Sequence, residues 1–447
     1  MLIKGSHILD IATGSYTLQD IRIEAGLFSE MGALRSRVGE QVINGDGLYM
    51  IPGLMDCHCH ISANYASLFL AAGITTVRNT AGNHLLLSSI REAEAHEAVP
   101  RLITADRMID GTPGSWGETS HGSLSTDDLE EAKEEVKRQV ETGVDFIKVY
   151  SKITEEMLKE VIKESKRNHL DVSADLLGAD SLDAKVAVEA GVRFLEHNSG
   201  IMQMLHPGWH MNASDDLYEP VLQPPNEEEI ARVLQPLLAR DTILVPTMEL
   251  FKQAADYPNH RVSDRFISPS LLQVWEQTTP HVSSWRFQAI FTYTKAITRV
   301  YHQLGGTVLA GTDSPAIIFT NPGASLHREL MLLTQSGLSP YEALKSATIV
   351  PARVLNRPDL GEIKRGNHAD FVLLKEDPLK HIENVSKIAI IGKGGQCYSQ
   401  AELFAQAESD EKIHIDEQEF MSRWQQHLDL GMYDRLCEKY WIGTLDE

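Results

Sequence analysis

The stretch Met50-Ile51-Pro52-Gly53-Leu54-Met55-Asp56-Cys57-His58-Cys59-His60 is an apolar run that turns polar at its end. A strand sends successive side chains to opposite faces, so His58 and His60 share one face while Cys57 and Cys59 share the other. Two imidazoles on one face supply half of a metal site. Downstream, short apolar β-branched runs recur between longer segments of helical period: Ile74 to Asn79, Arg101 to Ala105, Val144 to Tyr150, Leu170 to Asp175, Val192 to His197, Thr242 to Thr247 and Thr307 to Asp313. That alternation predicts an α/β chain in which eight strand-helix units close into a barrel. Helix starts are legible at Ser125 or Thr126, ahead of the acidic stretch Asp127 to Glu141, and at Ser339-Pro340-Tyr341-Glu342, which reads as a capping box with proline at the first helical position.

Upstream, the first 50 residues read as short strands and turns of alternating polarity, such as Ile21-Arg22-Ile23-Glu24 before Gly26. Strand character returns after about residue 357, in Gly361-Glu362-Ile363, Ala369 to Lys375 and Ile388 to Ile391. The two ends therefore form one small β domain, residues 1–51 with 357–400, which the barrel at 52–356 interrupts. Residues 401–447 are charged and helix-prone, with Trp424, Tyr433, Tyr440 and Trp441 as anchors for a packed extension or subunit contact. A homo-oligomer is expected.

The chain has 447 residues, 42% apolar and 23% charged, as in ordinary globular proteins. With 41 basic against 63 acidic side chains the formal charge is −22. No Lys/Arg-dense stretch stands out, which speaks against nucleic acid or an anionic membrane as partner and leaves a small molecule. The start lacks a basic segment followed by an apolar one, and no run approaches about 18 apolar residues, so a cytoplasmic address is expected. Cys57 and Cys59, two apart on one strand, suit a disulfide poorly, so reduced thiols are expected.

Three further strand ends carry chemistry. Lys148 lies near the end of Val144-Asp145-Phe146-Ile147-Lys148-Val149-Tyr150 among apolar neighbours, where an unpaired ammonium is costly to bury. His197 ends Val192-Arg193-Phe194-Leu195-Glu196-His197, and Asp313 ends Thr307-Val308-Leu309-Ala310-Gly311-Thr312-Asp313. In a strand-helix barrel these ends form the active-site floor, so residues far apart in sequence converge there. Together with His58 and His60 they specify a divalent-metal centre of imidazole and carboxylate ligands.

With these segments in place, the sequence resembles the amidohydrolase superfamily, in the branch of imidazolonepropionases and prolidase-like peptidases. The motifs are Pro52 to His60, Gly73-Ile74-Thr75-Thr76-Val77-Arg78, Phe146-Ile147-Lys148-Val149, Leu195-Glu196-His197, Val245-Pro246-Thr247, Gly311-Thr312-Asp313 and Gly361 to Asp370. The resemblance implies a distorted (β/α)8 TIM barrel with a composite β-sandwich from the chain ends. It also implies one or two divalent metal ions, zinc first, with manganese or iron as alternatives. His58 and His60 would hold the more buried ion, Lys148 would bridge both as a CO2-derived carbamate, His197 would bind the second, and Asp313 would ligate and shuttle a proton. A carbamate turns a cation that metals repel into an anion with two ligand oxygens. Where the family carries a metal-binding histidine, this chain has Asp175. A carboxylate there can still ligate zinc at about 2.0–2.2 Å. It would nevertheless cancel the last positive charge of a two-ion centre already facing a carbamate, Asp313 and a hydroxide. The expected consequence is a preference for harder ions, a higher water pKa or occupancy by a single ion. Asn79 follows Arg78 where the family often has an acidic residue, which removes the local partner for that arginine.

The implied activity is metal-dependent hydrolysis of small amides, with dipeptides and N-acyl amino acids ahead of cyclic amides. Asp313 would take a proton from the attacking water and return it to the departing amine. His121, in the glycine-rich loop Gly111 to Gly122, would hydrogen-bond the substrate carbonyl, and Tyr150, two residues beyond Lys148 on the same face, would stabilise an oxyanion. His206, Trp209 and His210 sit where a pocket wall would lie. Two alternatives stand beside this: a lactonase or esterase on the same centre, and a catalytically silent small-molecule-binding relative marked by Asp175.

Overall fold

The computed structural model describes residues 1–94, 97–117, 119–120, 122–259, 283–316 and 320–407. The chain opens with five strands, β1 (Leu2–Asp10), β2 (Ser15–Glu24), β3 (Leu27–Gly32), β4 (Val42–Asn44) and β5 (Tyr49–Pro52), and no helix of the described residues precedes them or lies between them. They join three strands from the other end, β16 (Phe371–Leu374), β17 (Ile388–Lys393) and β18 (Gln396–Tyr398), in one eight-stranded sheet of order β18-β17-β16-β5-β1-β2-β3, with β4 beside β1. In a flat sheet β3 and β16, four strands apart, would be separated by roughly 19 Å. The rings of Phe28 on β3 and Phe371 on β16 are 6.3 Å apart, so the sheet curls back on itself. It closes over Ile3, Ile8, Ile21, Ile23, Met50 and Leu373, the inward residues of the alternating pattern.

Between these ends run the parallel strands β6 (Leu54–Cys59), β7 (Ile74–Asn79), β8 (Arg101–Thr104), β11 (Phe146–Val149), β12 (Asp171–Ala174), β13 (Phe194–Glu196), β14 (Ile243–Val245) and β15 (Thr307–Val308). Each lies within one of the eight runs expected from the sequence. Their side chains are almost all buried, as expected for strands covered on both faces. The ladders form two arcs, β6-β7-β8 and β11 through β15. Backbone hydrogen bonds bridge both seams: Cys57 N–H to Ala310 O and Thr312 N–H to His58 O, each 2.9 Å, and Asp145 N–H to Thr104 O at 2.8 Å. Gly311 is required at the first seam, since a Cβ there would stand 2.6 Å from Val245 and 2.9 Å from the His58 nitrogen. The loop expected after the third strand contains two short strands, β9 (Met108–Asp110) and β10 (Ser123–Ser125), which extend the second arc beside β11.

The helix Leu129–Thr142 is capped by Asp128, which accepts from Glu130 and Glu131 N–H, and not by Ser125 or Thr126. The Thr126 hydroxyl is engaged with Glu131 at 2.6 Å. The capping box at Ser339 and Glu342 is present. Cys57, Cys59 and Cys397 are free thiols. Of the C-terminal segment, the helix Gln400–Ala407 is described, whereas Trp424, Tyr433, Tyr440 and Trp441 lie outside the described residues. Among the described residues no helix is long and apolar enough to cross a membrane.

Candidate metal centre

The end of β6 is tied to the end of β15 by one buried carboxylate. Asp56 accepts from the Thr312 hydroxyl at 2.6 Å and from the Thr312 and His58 backbone N–H groups at 3.2 Å. Burial pushes its carboxyl up to about 7, opposed by those hydrogen bonds. This knot sets Asp313 against the two histidines. His58 Nε2 and His60 Nε2 lie 2.9 and 3.0 Å from Asp313 Oδ1. Ligand atoms of the three residues all fall within 4.8 Å of one another.

A second pair sits at the ends of β12 and β13, where His197 Nε2 is 3.2 Å from Asp175 Oδ2. The His58 and His197 rings are 4.6 Å apart, so both pairs belong to one site. Three residues that bound it have left-handed backbones: His197 (φ +60°), Thr247 (φ +45°) and Asp313 (φ +58°). Such conformations are uncommon for residues other than glycine and cluster where function demands them.

The far nitrogen of each ring is also held. His58 Nδ1 lies 2.6 Å from Glu196 Oε2, and His197 Nδ1 lies 2.6 Å from the Thr247 hydroxyl. Glu196 also accepts from Arg78 Nη1 at 2.8 Å and the Ser173 hydroxyl at 2.5 Å. The Arg78 guanidinium lies 4.0 and 4.3 Å from the ring centroids of Phe146 and Phe194. Burial alone would raise the Glu196 carboxyl, but Arg78, His58 and Lys148 outweigh it and hold it well below the usual range. Asp313 is likewise held well below its usual range, because His58 and His197 overcome the burial that would raise it.

These charges test whether a cation fits. His58 Nδ1 faces Glu196 Oε2 at 2.6 Å and its Nε2 faces Asp313 Oδ1 at 2.9 Å. An imidazole nitrogen and a carboxylate oxygen hold such a separation with a proton or a cation between them. Ligands at about 2.0–2.2 Å from one ion stand roughly 2.8–3.6 Å apart between a right angle and a tetrahedral one, a range that includes the observed 2.9, 3.0 and 3.2 Å. The donor set therefore fits a divalent ion.

Lys148, on β11, is 2% exposed, and among the described residues nothing forms a hydrogen bond or ion pair with its amine. Burial lowers its pKa, opposed by the fields of Glu196 and Asp175. Burial, reinforced by Asp175 and Asp313, pushes the Tyr150 phenol well above its ordinary value, so it remains an O–H donor. Its ring centroid is 6.4 Å from that of Trp116, an exposed side chain on the glycine-rich loop.

The structure thus brings His58, His60, Lys148, Asp175, His197 and Asp313 together, with Tyr150 beside them. His121 lies outside the described residues. Trp209 is fully buried with its ring against Tyr218, and His206 packs on Tyr293. Glu196, Thr247 and Ser173 join the site without a role assigned from the sequence. Glu196 carries a sequence signal, since Arg78 lacks an acidic neighbour and a strand-end glutamate beside a candidate histidine is the natural partner. Thr247 lies in the motif Val245-Pro246-Thr247, whereas Ser173 carries no signal.

Residues 49–396 match the model of the Amidohydrolase family. The dihydroorotase of Ruminiclostridium cellulolyticum is 43% identical over 61 residues, 14% of this chain and 14% of that one. The match therefore spans a small fraction of either protein. Among solved structures, a bottromycin amidohydrolase superposes with TM-score 0.69 at 20% identity, covering 91% of this chain and 90% of that one. A Xaa-Pro dipeptidase with bound methionine superposes with TM-score 0.67 at 19% identity, covering 89% and 99%. At such identities these two structures speak for the fold alone.

Proposed function

The chain belongs to the amidohydrolase family, a kinship that supports a hydrolytic enzyme acting on C–N bonds, and from that premise we propose that it cleaves small amides, dipeptides and N-acyl amino acids first, at a centre built from His58, His60, Lys148, Asp175, His197 and Asp313. The observation that carries the proposal is the opposition of imidazole nitrogens and carboxylate oxygens at 2.9, 3.0 and 3.2 Å, drawn from the ends of β6, β12, β13 and β15. A divalent ion held there, zinc or manganese, would supply Lewis acidity and lower the pKa of water.

The chain's own residues do the rest. His58 and His60 are fixed on one strand end, and Glu196 orients His58 through Nδ1. Both recorded contacts of Asp313 with the histidines are to Oδ1, which leaves Oδ2 to accept the proton of the attacking water and return it to the leaving nitrogen. Tyr150 O–H donates to the oxygen on which negative charge develops. Lys148 Nζ adds to the carbon of CO2: an N–C bond forms, one C=O bond opens, and a proton leaves to solvent. The product is an anion that suits a cation-holding pocket better than an ammonium does.

The test is elemental analysis of the purified protein, coupled to a screen of dipeptides, N-acyl amino acids and simple esters with added zinc and with added manganese. We expect at least one bound divalent ion and turnover of an amide. Absence of bound metal in both preparations would overturn the proposal, and turnover of esters with no amide cleaved would redirect it to a lactonase or esterase.

A further inference from the structure

Thr247 follows β14 and is the N-cap residue of the helix Met248–Asp256. Threonine is a favoured cap because its hydroxyl can accept from the first-turn N–H groups. Asp128, Thr154, Asp183, Asn226 and Ser339 all act in this way on their own helices. Thr247 makes no such bond. Its hydroxyl is turned to His197 Nδ1, 2.6 Å away, on a backbone with φ of +45° that β-branched residues rarely adopt.

The cap comes from elsewhere. Glu329, on the helix Ala324–Gln335, accepts the Glu249 N–H at 2.8 Å through Oε2. Glu329 is fully buried, and the two helices pack against each other. Burial pushes the Glu329 carboxyl well above its ordinary value, opposed by its hydrogen bond to the Glu249 amide, and in either protonation state its oxygen can accept an orphan N–H of the first turn. The same helix start places Phe251 edge-on to the His197 ring, with centroids 6.1 Å apart.

We propose that Glu329 is a positioning residue: by capping the helix Met248–Asp256 from a neighbouring helix, it frees the Thr247 hydroxyl to fix the His197 ring so that Nε2 faces Asp175. The relay runs from Glu329 through the Glu249 amide and the first helical turn to the Thr247 backbone, and from its hydroxyl to His197. Its consequence for cation binding rests on the proposed function, whereas the orientation of His197 does not.

The experiment uses full-length protein carrying isotope-labelled histidine, in metal-free form for the imidazole nitrogen spectrum and with zinc alone for competition against a chromogenic chelator. Thr247→Val removes the hydroxyl and should displace the His197 Nδ1 resonance and weaken zinc tenfold or more, as loss of a ligand-orienting hydrogen bond commonly does. Glu329→Ala should produce the same two changes, Glu329→Gln should restore both because its amide oxygen still accepts the Glu249 N–H, and Glu329→Ala with Thr247→Val should be no worse than Thr247→Val alone. Glu329→Asp, one methylene too short to reach, carries the test if Glu329→Ala does not fold, and it should match Thr247→Val. A His197 Nδ1 resonance at the wild-type position in Glu329→Ala or Glu329→Asp would overturn the proposal, as would additive zinc losses in the double variant. A wild type that binds no zinc would count against the hydrolase proposal, and the resonance of His197 would still decide the relay.

Discussion

Arg78→Met removes the cation that neutralises Glu196 while keeping a side chain able to lie between Phe146 and Phe194. Arg78 is 1% exposed and Glu196 is fully buried, so water cannot replace the lost partner. Breaking a buried ion pair from one side costs about 3–5 kcal/mol, because the remaining charge is uncompensated. The two ring contacts, at 4.0 and 4.3 Å, add about 1–2 kcal/mol each when desolvated, and methionine packing on the same rings recovers much of that. The expected loss is about 4 kcal/mol. For a chain of 447 residues the unfolding entropy is about 0.9 kcal/mol/K, so the midpoint should fall by about 4 °C if the chain unfolds as one unit. Urea titration followed by tryptophan fluorescence and circular dichroism measures the loss directly. The decisive comparison is Arg78→Met with Glu196→Gln: once the orphaned charge is gone, the double variant should recover about 2 kcal/mol or more relative to Arg78→Met. A loss under about 1 kcal/mol for Arg78→Met, or a double variant whose losses simply add, would refute the view that this cation exists to hold Glu196.

Glu135 predicts a pH dependence. Burial would raise its carboxyl, but Arg107 and Arg138 outweigh that and bring it to about 2 from the ordinary 4.5. A depressed carboxylate stabilises fully above its unfolded pKa and loses that contribution as pH falls toward the folded value. Here that amounts to about 3 kcal/mol, of which about 2 kcal/mol is gone by pH 3. Stability of wild type and Glu135→Gln, followed by urea titration from pH 6 to pH 3, should converge by about that amount; parallel curves would count against it. Asp175→His should change metal stoichiometry or shift preference from manganese toward zinc, read by elemental analysis after growth in each metal, because it removes one negative charge from the site. Unchanged content and preference would show that Asp175 does not touch the ion.

Much of the barrel was legible because strand-helix alternation is a local pattern. The runs ending in His60, His197 and Asp313, and the run to Tyr150 that carries Lys148, each announce a buried strand with a polar terminus, and the rule that such ends converge supplies the rest. Helix caps depend on more than the local sequence. Asp128 displaced the two candidates before it because three side chains compete for the same N–H groups, and which one wins depends on where the preceding strand delivers the chain. Arg78 lost its expected neighbour to Asn79 and found Glu196 instead, a pairing of residues 118 positions apart that no local pattern displays.

The amino-acid order by itself determined the eight barrel strands, the joining of the two chain ends in one sheet through the runs Ala369 to Lys375 and Ile388 to Ile391, and the side chains whose chemistry suits a cation, since periodicity and side-chain chemistry are local properties; the expected strand Gly361-Glu362-Ile363 is irregular instead. Only the tertiary structure decided which nitrogen of each imidazole faces inward, that Asp175 stands against His197, and that Thr247 serves a histidine while Glu329 serves its helix. Those outcomes depend on distances between atoms on different strands and helices, which the packing of the barrel sets and no single segment contains.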